Sequence, residues 1–220
     1  MRARLYWIDT PLSGRLAIAP RPLGGDDLDA AIADCRSDGV DRIVRLLEPH
    51  EIHELKLAAQ ASACARHDIQ LDDFPIPDRG VPANAIKAAA LARRLRDEIA
   101  AGKAVLIHCR AGIGRSALIA AAVLVAAGVD PNTAFERIHT ARHVTVPDTD
   151  AQRLWVVEHM ASCAIPSLDY FPISAISNAD GGRTGIGTEM NNTVESTFEC
   201  RGAVRSAAAA AEIRAGRPAH

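Results

Sequence analysis

Short apolar runs alternate with longer helical patterns from residue 5 to about residue 163. Runs of four apolar residues, at 16–19 and 104–107, are typical of buried strands. Between the runs, apolar residues recur every three or four positions, most regularly over 84–100, as in helices that bury one face. Strands separated by helices of this length favour a mostly parallel sheet. We therefore expect an α/β fold, with a central, mostly parallel sheet flanked by helices on both faces.

Turn and capping residues predict where individual elements begin and end. Residues 5–8 and 16–19 are expected to form an antiparallel hairpin, because Pro11 and Gly14 between them suit a turn. Pro49 opens a helical pattern that predicts one helix through Ala65. Further helices are predicted at 26–38, 84–100, 115–127, 130–141 and 148–160, and further strands at 43–47 and 69–74.

Composition narrows the class of protein without naming a function. The chain has 220 residues, 48% of them hydrophobic, which is enough for one folded domain. Its net charge of −2 indicates neither nucleic acid nor an anionic membrane as a partner, and charged residues interrupt every apolar stretch before it could insert into a membrane. Five scattered cysteines without a CxxC pair indicate free thiols and a cytoplasmic location. Nothing in the composition indicates an oligomeric state.

The amino-acid composition of the chain changes after Cys163. The stretch that follows is rich in Ser, Gly, Asn and Thr and has no sustained periodicity, which is typical of a flexible segment. We therefore predict a folded domain over 1–164 and a flexible tail over 165–220, with at most one short helix near 203–215.

Cys109 stands where a nucleophile would be useful. It follows a buried strand directly, and parallel sheets bind ligands at the carboxyl ends of their strands. The helix that begins near Arg115 directs its positive end at the loop, and Gly112 and Gly114 allow backbone N–H groups to turn inward around an anion. No Asp or Glu lies between residues 103 and 119, so the local field favours a thiolate, and Arg115 can grip two oxygens of a phosphate. The pattern predicts phosphoryl transfer to Cys109 followed by hydrolysis.

The segment His-Cys-Arg-Ala-Gly-Ile-Gly-Arg-Ser over 108–116 resembles HCxxGxxR[ST], the signature of Cys-based protein tyrosine phosphatases. The domain is similar to the compact, dual-specificity-like branch, including the kinase-associated type. The resemblance implies that Cys109 is the nucleophile, that Arg115 binds phosphate, that Ser116 donates a hydrogen bond to the sulfur, and that His108 orders the loop. It also implies a phosphorylated protein or small phosphomonoester as substrate and no metal or other cofactor. The residues expected to line the substrate site are Arg110, Ala111, Gly112, Ile113 and Gly114.

A general acid must protonate the leaving group, and Asp78 is the candidate. Its segment Pro-Asp-Arg-Gly also suits a type I turn. One helix and one strand separate Asp78 from Cys109, so both loops should open at the same edge of the sheet. The segment resembles the acid loop of compact dual-specificity-like phosphatases, and Gln152 resembles a residue that positions water for hydrolysis of the phosphocysteine.

Three other functions compete with protein dephosphorylation. A catalytically weak phosphoprotein-binding module would lack Cys109, Arg115 or the acid, and none of these is missing. Phosphoinositides or small phosphates are alternative substrates, and sulfur transfer is disfavoured by the Arg115–Ser116 ending. The segment His-Glu-Ile-His-Glu-Leu over 50–55 does not match HExxH and is interpreted as an exposed helix face rather than a metal site.

Overall fold

The computed structural model describes residues 4–160. Its centre is a five-stranded sheet in the order β1-β2-β5-β3-β4, in which β1 is antiparallel to β2 and all other neighbours are parallel. The predicted α/β fold with a mostly parallel central sheet is confirmed, and so is the hairpin near the N-terminus. The strands are β1 (Tyr6–Ile8), β2 (Arg15–Ala19), β3 (Arg42–Arg45), β4 (Gln70–Asp73) and β5 (Ala104–His108).

Among residues 4–160, seven α-helices connect and cover the strands, and several begin at capping residues that the sequence predicts. Asn84 Oδ1 accepts the Lys87 N–H at 2.9 Å, which caps the helix that follows. Asp130 accepts two backbone N–H groups in the same way. The helices are α1 (Leu28–Ser37, preceded by a 3-10 turn at Gly25–Asp27), α2 (Pro49–Glu54), α3 (Gln60–Arg66), α4 (Ala85–Ala100), α5 (Arg115–Ala126), α6 (Pro131–Arg142) and α7 (Asp150–Met160).

Alternate side chains of the buried strands pack on opposite faces of the sheet. Ile18, Val44 and Ile107 belong to one core with α4, α5, α6 and α7, whereas Ile43 and Leu106 belong to a second core with α1 and α3. Nearly every residue of α5 is buried, which explains why that helix is apolar on all sides. Helices therefore cover both faces, as predicted.

The single helix predicted over 49–65 is wrong, because the structure divides it into α2 and α3. Lys56 adopts a positive φ of 55°, which a continuous helix does not allow. The turn is held from outside, since the Gly25 N–H donates to the Lys56 carbonyl at 2.9 Å. Leu57 is fully buried between the two helices. The hydrogen bond between Gly25 and Lys56 and the burial of Leu57 therefore interrupt the single helix that the periodicity predicts.

The register places β5 between β2 and β3, so that His108 is level with Ala19 on one side and with Arg45 on the other. Cys109 consequently emerges at the middle of the carboxyl edge of the sheet. Within residues 4–160 no helix has both the length and the apolar character needed to cross a membrane. The tail predicted over 165–220 lies outside the described residues.

Candidate active site

Residues 109–116 form a loop, called the signature loop below, that connects β5 to α5. The Cys109 sulfur is buried at the bottom of this loop, where the Gly112 N–H donates to it at 3.3 Å and the Ser116 hydroxyl lies 3.5 Å away. In the first of these contacts the sulfur is the acceptor. On α3, burial raises the pKa of Cys64 to about 11 and keeps it a thiol at neutral pH.

Three successive carbonyl groups of the signature loop accept hydrogen bonds from outside the loop. The Arg21 N–H donates to the carbonyl of Arg110 at 3.2 Å. The guanidinium of Arg142 donates to the carbonyls of Ala111 and Gly112 at 3.2 and 3.0 Å. In a trans peptide the C=O and the following N–H point in opposite directions. Because the carbonyls of residues 110–112 point out of the loop, the N–H groups of residues 111–113 point into it. The hydrogen bond from the Gly112 N–H to the Cys109 sulfur is one example. The outward carbonyls thereby build an inward-facing set of anion-binding donors.

The Arg142 guanidinium faces the outer carbonyls and stacks over the Tyr6 ring, with its Cζ 4.2 Å from the ring centroid. It therefore supports the loop from behind rather than offering a free ligand for phosphate.

The two glycines of the signature loop avoid overlap with different neighbours. Gly112 has a φ of +69°, and a side chain there would also overlap the backbone of Ala19 and Pro20. Gly114 has an ordinary φ of −83°, but a Cβ at this position would overlap the Asp148 carboxyl group. The remaining loop residues occupy the rim, where Arg110 and Ala111 are exposed and Ile113 is half-buried against the core.

Arg115 is held by a buried ion pair that was not predicted. Its guanidinium donates to both carboxylate oxygens of Glu51 at 2.6 and 2.9 Å, and to the Ile76 carbonyl at 3.0 Å. The side chains of Arg115 and Glu51 are each only 2% exposed. Burial alone would lower the pKa of Arg115, but the hydrogen bonds to Glu51 and the nearby negative charges outweigh it and raise the pKa. The guanidinium is therefore permanently charged and fixed in one orientation.

Asp78 meets Arg115 at the mouth of the loop. Its Oδ1 lies 3.2 Å from Arg115 Nη2, and its side chain is 65% exposed. The segment also forms a turn, since the Gly80 N–H donates to the Pro77 carbonyl at 2.9 Å. Arg79, the third residue of the turn, is exposed and takes a φ of +56°, so the predicted type I geometry, which has a negative φ there, is wrong. The turn carries the Asp78 carboxylate to the edge of the site.

A buried chain of polar side chains orders His108, the residue before Cys109. The Arg45 guanidinium donates to Gln60 Oε1 at 3.3 Å, which leaves the Gln60 amide nitrogen 3.0 Å from His108 Nε2. An amide NH₂ can only donate, so His108 Nε2 accepts and the ring proton lies on Nδ1, 3.4 Å from the Cys109 carbonyl. Burial lowers the pKa of His108 to about 4, and Arg45 adds to the effect. The ring is neutral at pH 7, which suits a loop-ordering role and not general-base catalysis.

Gln152, the residue suggested to position water, is fully buried on α7. Its amide nitrogen donates to the Gly80 carbonyl at 3.0 Å, so it joins α7 to the loop that carries Asp78. Its Oε1 has no hydrogen-bond partner among residues 4–160.

Comparison with known proteins agrees with this geometry. The family described as "Tc-R-P: Polymorphic toxin system, DSP-PTPase phosphatase" matches residues 22–129, which include β3 to β5, the whole signature loop and α5. A search of curated proteins finds no match to this chain. The domain is a compact, dual-specificity-like Cys-based protein tyrosine phosphatase.

Solved structures of phosphatases share the fold of this phosphatase domain. A kinase-associated phosphatase, crystallised with its catalytic cysteine replaced by serine, is 19% identical and has a TM-score of 0.67, with 74% of this chain and 97% of that chain covered. Tk-PTP in its active form is 25% identical, with a TM-score of 0.58 and coverages of 72% and 96%. PTPMT1 in complex with PI(5)P is 20% identical, with a TM-score of 0.55 and coverages of 71% and 96%.

The residues that support the signature loop of the phosphatase from behind are not evident from the sequence. Glu51 lies in the segment interpreted as an exposed helix face, and that interpretation holds for His50 and His53 but is wrong for Glu51. A capping-box pattern between Glu48 and Glu51 was present as a signal, and the Glu48 N–H does donate to Glu51 at 3.0 Å. That signal locates the start of α2 and gives no indication of Arg115. Among residues 4–160 no group of three or more His, Cys, Asp or Glu could hold a metal ion.

Proposed function

We propose that this phosphatase domain hydrolyses phosphotyrosine, and also phosphoserine and phosphothreonine, in proteins through a phosphocysteine on Cys109. The observation that carries the proposal is the meeting of three groups from distant parts of the chain. The sulfur of Cys109 lies under the Gly112 N–H, Arg115 begins the helix behind it, and Asp78 lies 3.2 Å from the Arg115 guanidinium. The proposed nucleophile, anion-binding residue and acid therefore lie together at the carboxyl edge of the sheet.

In the first step the Cys109 thiolate attacks phosphorus and a P–S bond forms while the P–O bond to the substrate breaks. The inward N–H groups of the signature loop and the Arg115 guanidinium stabilise the negative charge on the equatorial oxygens. Asp78, in its protonated form, gives its proton to the departing oxygen, so that the product leaves as an alcohol or phenol. Because Asp78 rests on Arg115 in the structure, phosphate must take over that guanidinium before the acid can act.

In the second step water attacks the phosphocysteine. The Asp78 carboxylate accepts a proton from the water, the P–S bond breaks, and inorganic phosphate and the Cys109 thiolate are restored. Ser116 donates its hydroxyl proton as a hydrogen bond to the departing sulfur and eases that departure. The free Oε1 of Gln152, beside the acid loop, supports a role for this residue in accepting a hydrogen bond from the attacking water.

Phosphate release from p-nitrophenyl phosphate and from phosphotyrosine and phosphothreonine peptides tests the proposal. Cys109→Ser should abolish turnover, and Asp78→Ala should lower kcat by about 10²–10⁴ because the leaving group loses its proton donor. Cys64→Ala is the matched control, since it removes another buried cysteine and should leave turnover in place.

Two results would contradict the proposal. Turnover that survives Cys109→Ser would exclude the phosphocysteine route. A folded, reduced wild-type protein that binds phosphopeptides but never releases phosphate would be the binding module instead. Activity on phosphotyrosine alone would restrict the substrate class and leave the mechanism in place.

A further inference from the structure

Both arginines of the signature loop are already paired with carboxylates, but in different surroundings. Arg115 is paired with Glu51 in a buried site, as described above. Arg110 donates to the two carboxylate oxygens of Glu54 at 2.6 and 3.1 Å. This second pair is on the surface, with side-chain exposures of 44% for Arg110 and 55% for Glu54.

Arg110 lies at the mouth of the active site and not on a remote surface. It is the residue next to the nucleophile, and its charge interacts with both Glu51 and Asp78. A free guanidinium at this position would attract a second anionic group on a substrate whose phosphate is bound by the loop. Glu54 occupies that guanidinium with the same bidentate geometry that an aspartate or glutamate of the substrate would use.

We propose that Glu54 is a specificity-determining residue: by holding Arg110, it disfavours phosphopeptides that carry acidic residues beside the phosphorylated one. The inference rests on the proposed protein phosphatase activity. Because the Arg110–Glu54 pair is exposed, it is a weak and exchangeable contact, so it biases the choice of substrate rather than blocking the site. Salt should screen the bias, since all of its charges face solvent.

The test uses two phosphotyrosine peptides that differ only in the residues on either side of the phosphotyrosine, which are Asp in one and Asn in the other. The quantity measured is the ratio of kcat/KM for the acidic peptide to kcat/KM for the neutral peptide, which normalises each variant to itself. Glu54→Gln should raise this ratio by about three- to fivefold at low salt, because Arg110 becomes available to the substrate. The rise should diminish in high salt.

Two further variants distinguish the release of Arg110 from a simple loss of repulsion between Glu54 and the acidic peptide. Combining Arg110→Met with Glu54→Gln should cancel the rise, because no guanidinium remains to be unmasked. Asp29→Asn is the matched control, since Asp29 forms an exposed pair with Arg66 between α1 and α3, and its loss should leave the ratio unchanged.

An unchanged ratio in Glu54→Gln, or an equal rise in the double variant, would overturn the inference. The proposed function fails in a different way, through a wild-type protein that hydrolyses neither peptide. The two failures are therefore distinguishable in one set of assays.

Discussion

Replacing Glu51 by Gln tests whether the ion pair behind the signature loop stabilises the fold through charge. The change keeps the size of the side chain and removes its negative charge, so the Arg115 guanidinium remains buried with only the Ile76 carbonyl and Asp78 to balance it. Breaking a buried pair by removing one partner costs about 3–5 kcal/mol. The amide oxygen of Gln still accepts one hydrogen bond, so we expect a loss of about 2–3 kcal/mol, or about 5–10 °C in Tm for a domain of this size.

Chemical denaturation at pH 7 would measure the loss, with Glu54→Gln as control. Glu54 lies on the same helix and also forms a bidentate pair with an arginine of the loop, but it is exposed, so its loss should leave the midpoint nearly unchanged. Burial by itself would raise the pKa of Glu51, but the Arg115 hydrogen bonds and the Glu48 N–H outweigh it and lower the pKa.

The lowered pKa of Glu51 fixes the sign of the pH dependence. A carboxyl group with a lowered folded-state pKa contributes stability above its unfolded pKa of 4.5 and loses it as the pH falls through the folded value. The difference between wild type and Glu51→Gln should therefore be complete at pH 7 and disappear in strong acid. Equal midpoints at pH 7, or a difference that persists at the acid limit, would refute the charge argument.

Four further predictions concern the groups around the loop. Gln60→Leu removes the hydrogen-bond donor to His108 Nε2. ¹⁵N NMR should then show that His108 no longer holds the single Nδ1–H tautomer, and kcat/KM should fall by about three- to tenfold. An unchanged tautomer would contradict the role of Gln60. The pKa of His108 is lowered from 6.5 to about 4, so protonation of this ring opposes folding. Its contribution to the free energy of unfolding should therefore be complete above pH 6.5 and fall by about 3 kcal/mol as the pH drops from 6.5 through 4, and this fall should be absent in His108→Asn. Gly114→Ala should reduce activity through overlap with Asp148, and Asp148→Ala should restore it; failure of this rescue would place the fault in the backbone. Arg142→Met should raise KM for p-nitrophenyl phosphate by about tenfold, since two loop carbonyls lose their donors, whereas an unaltered KM would show that the loop holds its shape alone.

The central strands and the signature loop could be predicted because their information is local. A run of four apolar residues ends just before His108, and the eight residues after His108 contain Cys109, both glycines and Arg115. Such a segment has few alternative conformations, since a buried strand and a helix start on either side define where the loop must lie. The position of Asp78 followed from topology, because parallel strands bring their carboxyl ends to one edge.

The contacts that hold the site residues in place could not be predicted from the sequence, because they depend on tertiary structure. Glu51 and Glu54 are the same residue type on the same short helix, yet one is buried against Arg115 and the other is exposed beside Arg110. Their partners lie 64 and 56 residues away in the chain, and no periodicity of α2 encodes which one faces inward. The break at Lys56 has the same origin, since a contact with Gly25 decides it. Local patterns determine elements and contiguous motifs, whereas the pairing of charges is decided only when the elements pack and remove some of those charges from water.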